Sequence, residues 1–399
     1  MAGVPPNDDA SDQPDDPRNP FAGLPMFGDL ARALAGQGPL NWDAARQFAQ
    51  LGATGGKAEH NVDPAVRLAY ADLSRIAAMH VSDVTGAELA FPEPQIVTRG
   101  QWARDTLEAY RPLFTDLATS LASGATDDAD EAETDPMMQM MSGLNRMMAP
   151  AMLGMAVGSM VGQLAQRVFG LHDLPIPRLR SEVVLVGGNI DEFAAAWEVP
   201  VDEMRLWVLA HELSGHVLFS VDHVRQPLAD LVRRHAGGFR PDPRAIADRL
   251  SGLDITDDDP MQALQQAFAD PEVLLGAVRS PEQLELAPAL DAAVATVVGY
   301  TDWVVDAVAV RVIGGDALRI AEAVRRQRVE ITPGDAFVEH LLGIRLGDDQ
   351  VARGKAFAQG VVDRAGEHGL EPLLTTPGSL PTPAEVDAPG LWLARVTGD

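Results

Sequence analysis

Residues 147–166 carry no charged side chain, and an uncharged run of that length has few places to go in a folded chain. It is long enough to span a bilayer. Yet Pro150, Ser159, Gln163 and Gln166 interrupt it, and its Ala, Gly and Met side chains partition only weakly into lipid. Gly154, Gly158 and Gly162 stand four apart, a stripe on one helix face that lets a second backbone come close. The expectation is a buried, close-packed core helix and no membrane span. With 46% apolar residues over 399 positions, the chain has the material for a substantial core around it.

The remaining pattern is mostly helical. Residues 63–123 carry helical periodicity, with Val66, Leu68, Ala69, Leu73, Ile76 and Ala77 on one broad face and a second stretch from about 99 to 121. Further helical patterns occupy 42–51, 191–198, 201–224, 245–250, 261–268, 281–312, 316–329, 333–342 and 349–368. The best strand candidate is 181–186, where Val183, Val184, Leu185 and Val186 stop at Gly187 and Gly188. The organisation expected is a disordered acidic tail at 1–20, an N-terminal helical region at 21–123, and a flexible acidic loop at 124–136. A larger helical domain then follows at 137–399.

Lys and Arg number 31 against 58 Asp and Glu, a net charge of −27. Such a surface repels phosphate backbones and argues against a nucleic-acid partner. Arg325, Arg326 and Arg328 form the densest basic cluster and read as a solvated helix face. There is no cysteine, so disulfides, thiolate zinc sites and cysteine nucleophiles are excluded. That composition suits a reducing compartment, and with no apolar segment near Met1 the expected location is the cytoplasm. No Gly-x-Ser-x-Gly elbow, dinucleotide fingerprint or P-loop is present.

One stretch has catalytic character: Trp207, then His211-Glu212-Leu213-Ser214-Gly215-His216, then Phe219. In a His-Glu-x-x-His helix, imidazoles four apart share a face and one zinc, and the Glu beside the first His acts as general base on metal-bound water. Here the second histidine comes five residues after the first. Five residues rotate roughly 500°, which leaves the two rings about 140° apart around a regular helix. Either a π-bulge brings His211 and His216 together as metal ligands, or Gly215 has replaced the second ligand. The second reading is preferred.

The chain resembles a family of bacterial, actinobacterial-type zincin-like proteins described as zinc-dependent metalloproteases. The resemblance rests on Asn19-Pro-Phe, on Gly38-Pro-Leu-Asn-Trp42-Asp, and on Leu153-Gly154-Met with Val161-Gly162-Gln-Leu-Ala165-Gln. Asp173-Leu-Pro-Ile-Pro177, the motif helix with Phe219, Leu380-Pro-Thr-Pro-Ala-Glu385-Val and Trp392-Leu-Ala-Arg395 complete it. It implies a mainly α, zincin-like metalloprotease fold with a small β element and a motif helix at about 201–224. It also implies that Val183–Val186 is an edge strand able to take an extended peptide by strand addition. The family carries a third ligand in a Glu-Gly-aromatic stretch. Here that stretch reads Val297-Val298-Gly299-Tyr300, with Val298 where the Glu belongs.

Two functions follow as expectations. One is a zinc-dependent metallopeptidase with Glu212 as base and His211, His216 and a further group on the metal. The other, favoured by the chemistry, is a non-catalytic descendant with little or no zinc that binds a peptide or protein partner in the former groove. Asp302 and Asp306 share a helix face and could hold a cation or support His211 from behind, though a polar stripe beside the old groove is the preferred reading. Asp222 stands six residues after His216 without the intervening glycine that a third ligand there would need. His223 reads as a polar helix-end residue.

Overall fold

A computed structural model describes residues 38–88, 90–127, 136–178, 182–241, 277–329 and 332–398. The acidic tail, the acidic positions 128–135 and the helices expected at 245–250 and 261–268 lie outside these residues. The fold is mainly helical. Its elements are α1 (Trp42–Thr54), α2 (Pro64–Thr85), β1 (Gln95–Val97), α3 (Arg99–Ala109), α4 (Arg111–Asp127), α5 (Pro136–Ala165) and β2 (Val184–Val186). They continue with α6 (Gly187–Ala196), α7 (Val201–Phe219), α8 (Asp222–Gly237), the short pair β3 (Arg240–Pro241) and β4 (Ala277–Val278), and α9 (Pro281–Val312). The chain closes with α10 (Ala317–Val329), α11 (Pro333–Leu342), α12 (Asp348–Ala365), α13 (Pro372–Thr375), α14 (Pro383–Asp387) and α15 (Pro389–Thr397).

The glycine stripe does what its spacing implies. α1 lies along it, started by Asn41, whose Oδ1 accepts the Asp43 and Ala44 N–H groups. A Cβ on Gly154 would come within 2.3 Å of the Asn41 carbonyl oxygen, one on Gly158 within 2.3 Å of Ala45 O, and one on Gly162 within 2.7 Å of Ala49 O. The two backbones are therefore in contact, and only hydrogen side chains fit between them. Helices at 147–165 and 281–312 are long and apolar enough to cross a membrane, but 56% and 67% of their apolar windows are buried inside the protein. α5 packs chiefly on α1, and the motif helix α7 lies between α2, α6 and α9.

Every residue of α7 from Met204 to Phe219 is buried, the polar Arg205, His211, Glu212, Ser214 and His216 along with the apolar ones. α9 runs the length expected of it because Ser280 and Gln283 form a reciprocal capping box and Pro281 sits at the first turn. Its Gly299 meets Gly354 of α12 backbone to backbone; a Cβ there would stand 2.0 Å from Gly354 O. That contact sets the position of Val298.

β1 and β2 pair in parallel, Gln95 with Val184, Ile96 with Leu185 and Val97 with Val186. The other side of β2 is also taken: Gly170 bridges Leu185, and the Val186 N–H donates to Phe169 O at 2.8 Å. All three residues of β2 are buried. The edge-strand expectation for Val183–Val186 is thus corrected. With hydrogen-bonding neighbours on both sides, it has no free edge for a peptide to add to.

Candidate functional site

α7 is an uninterrupted α-helix from Val201 to Phe219, without the extra residue per turn that a π-bulge would need. His211 and His216 consequently face different directions, about 140° apart. His211 lines a cavity of about 350 Å³. His216 does not; its ring rests on Phe91, centroids 5.9 Å apart. Val298 lines the same cavity as His211, so the position of the expected third ligand is at the site but offers no donor atom.

The segment from Val168 to Asp173 forms a tight turn that closes over α7, and four side chains hold it. Asp173 Oδ2 accepts the Phe169 and Gly170 N–H groups at 2.5 and 2.8 Å. The Trp102 indole of α3 donates to Gly170 O at 2.9 Å, and the Asn189 amide of α6 donates to Val168 O at 2.7 Å. The fourth holder is Glu212. Its Oε2 accepts the Leu171 N–H at 2.9 Å and its Oε1 accepts the His172 N–H at 3.0 Å. Glu212 is 0% exposed and does not line the cavity. Burial pushes its carboxyl pKa up, while His172 and the two backbone donors pull against that rise.

The turn places His172 directly over Gly215. A Cβ on Gly215 would lie 2.5 Å from His172 Cγ and 2.7 Å from its Cβ, so a side chain at 215 and the ring of His172 exclude each other. The ring also packs on Phe219, centroids 5.5 Å apart. Both its nitrogens are buried without a hydrogen-bond partner. Burial drives its pKa down to about 4, so it is neutral at physiological pH.

His211 stacks on Trp207 with centroids 5.7 Å apart and planes at 14°. Its Nε2 lies 3.0 Å from Nη2 of Arg328. A guanidinium only donates, so Nε2 is the acceptor. The ring proton then resides on Nδ1, which faces Glu212 Oε1 at 3.5 Å. Burial, followed by the charge of Arg328, lowers the His211 pKa to about 4. Arg328 also donates through Nη1 to Asp302 Oδ1 at 3.0 Å. Burial opposes its charge, but Asp302, Asp173 and Asp306 more than offset this and raise its pKa.

Arg328 corrects the reading of its cluster as a solvated face. Arg325 and Arg326 are exposed and pair with Glu322, whereas Arg328 turns into the cavity. Asp302 does support His211 from behind, but through the guanidinium. Asp306 pairs with Lys355 at 3.4 Å. Asp222 pairs with Arg225, and the ring of His223 bonds Leu373 O at 3.0 Å; neither belongs to the site. Sequence reasoning missed His172 altogether, since nothing local to it signals that a distant turn will carry it onto Gly215. Arg328 had a signal, because Ile320, Val324 and Arg328 are spaced four apart and the first two are fully buried.

Zinc does not fit these residues. His211 has its metal-facing nitrogen occupied, His216 points elsewhere, Gly215 and Val298 have no donor side chain, and a histidine at 215 would strike His172. Among the described residues no group of three or more His, Asp or Glu could hold a metal ion.

A family profile described as zincin-like metallopeptidase matches residues 40–393. Among solved structures, a proposed hydrolase with a novel fold from Chloroflexus aurantiacus superposes with a TM-score of 0.60 at 21% identity, over 90% of this chain and 99% of that one. At that identity the likeness is one of fold. None of the curated proteins matches the sequence.

Proposed function

We propose, for a chain that belongs to the zincin-like metallopeptidase family, a binding role in place of hydrolysis: the former active-site cleft takes a peptide segment of a protein partner without cutting it. The observation that carries this reading is Glu212. As a general base its carboxylate would have to face a water on the metal. Here both oxygens accept backbone N–H groups of the turn at 171–172 and stand outside the cavity. The residue that would do the chemistry has become the clasp that holds the turn.

The cavity itself supports binding. Its 350 Å³ lie within the range of small-ligand and side-chain pockets, and Leu164, Val168, Val297, Val298 and Val324 give it apolar walls beside the Arg328–Asp302 pair. The test is direct. Purified protein supplied with zinc should leave fluorescent casein and a random peptide pool uncut, should contain far less than one zinc per chain, and should keep its thermal midpoint in chelator. An array of short peptides should be captured, and Val298→Trp, which fills the cavity, should abolish capture. Cleavage that vanishes both with chelator and in Glu212→Gln would sink this reading.

A further inference from the structure

Arg328 donates to two groups of opposite origin: the Nε2 lone pair of the motif histidine and the Asp302 carboxylate of α9. Asp173, from the turn that closes the site, adds a third attraction to the same guanidinium. An imidazole lone pair facing the same space as carboxylates leaves a site that calls for positive charge. We infer that the guanidinium of Arg328 is the built-in cation of this site, occupying permanently the role that a metal ion plays in a working zincin. It neutralises the carboxylates, occupies the His211 lone pair and fixes the imidazole as its Nδ1–H tautomer.

The physics favours a guanidinium here over any other side chain. It cannot lose its proton, it is more weakly hydrated than an ammonium, and its planar fork satisfies two acceptors at once. It also arrives covalently tethered to α10, whose Ile320 and Val324 are buried on the same face, so no ion has to be captured from solution. Its side chain is 24% exposed and that of Asp302 19%, so the pair is largely shielded from water and weakly screened by salt. Removing the cation would leave Asp302 unpaired in a poorly hydrated site, an arrangement that destabilises strongly.

This inference rests on the metal-free reading above, and the experiment separates the two. Arg328→Ala leaves a guanidinium-shaped space. Its thermal midpoint should fall by several degrees and recover with millimolar methylguanidinium but not with equal sodium chloride. The wild-type midpoint should respond to neither. His211→Ala should lose the same interaction, so the two substitutions together should cost less than their sum. An unchanged midpoint in Arg328→Ala, or a fall that methylguanidinium leaves uncorrected, would overturn the inference while leaving the binding role intact.

If Arg328→Ala does not fold, nitrogen NMR on the wild-type protein decides. A protonated Nδ1 and an unprotonated Nε2 acceptor at His211 is the expected result, and the opposite tautomer overturns it. Stoichiometric zinc in the wild-type protein, lost on His211→Ala, would remove both this inference and the metal-free reading.

Discussion

Gly215 lies in the interior of α7, where glycine costs about 1 kcal/mol relative to alanine, and alanine is nevertheless expected to be worse. Its methyl group would meet the His172 ring at 2.5 Å, and the ring would have to leave Phe219 and shift toward the cavity it lines. Overpacking of this kind costs about 1–3 kcal/mol. Gly215→Ala should therefore lower the urea midpoint, and His172→Gly should relieve the clash, so that the double variant is less destabilised than the sum of the single ones. Strict additivity would show that His172 and Gly215 do not share the space. The cycle matters because the pair explains why the five-residue histidine spacing is tolerated. Once His172 fills the room at 215, nothing at that position is left to ligate, and His216 is free to pack against Phe91 on another side of the helix.

The contact between α1 and α5 makes an equally sharp contrast between two glycines. Gly158→Ala would drive a methyl to 2.3 Å from the Ala45 carbonyl oxygen, and separating two helices whose backbones touch should cost about 3 kcal/mol or more. Gly188 in the first turn of α6 has no atom within 4 Å of an added Cβ, so Gly188→Ala should be neutral or stabilise by up to about 1 kcal/mol. Equal effects in chemical denaturation would mean that the stripe is not a packing surface. That stripe was legible because a four-residue spacing is local information, as were the bounds of α9 and α11, each opened by a capping box and a proline. Other features were not legible. β1 is three residues long and stands between helices, too short for alternation to show. The break between α3 and α4 at Tyr110 was readable in principle, because Pro112 disfavours a continuous helix through the residues before it. The site was half legible: His211, Glu212, Gly215 and Val298 were found by spacing and resemblance, whereas His172 and Arg328 join it only through the turn at 168–173 and the approach of α10. A withdrawn Glu212 could not be read either, since its partners are backbone N–H groups some 40 residues earlier.

The net charge of −27 would suggest that mild acid relieves self-repulsion and firms the fold. The buried histidines argue for the opposite below neutrality. His172, His211 and His235 each have a folded-state pKa of about 4, lowered chiefly by burial from an ordinary 6.5, and burial lowers His216 in the same direction. A group whose pKa is depressed on folding binds its proton more readily in the unfolded chain. Unfolding therefore takes up protons between about pH 6.5 and 4, and stability falls as pH falls through that window. Each of His172, His211 and His235 contributes on the order of 1–2 kcal/mol of loss by pH 5. Burial raises the carboxyl pKa of Glu212, Asp105, Glu203 and Asp306, which acts the other way. Arginine partners lower those of Glu108, Glu322, Glu385 and Asp387 and add to the loss in acid. The several buried imidazoles set the sign. Most surface carboxylates titrate below this window, so relief of repulsion comes too late to compensate. The urea midpoint should thus be highest near pH 7 and decline steadily to pH 5, with proton uptake on unfolding exceeding one per chain at pH 5.5. His235→Phe, which sits against Phe239 away from the cleft, should flatten that decline without touching peptide capture. A midpoint that is level or rising from pH 7 to 5 would mean that these imidazoles are solvated, and with them the closed site described for His172 and His211 would fall.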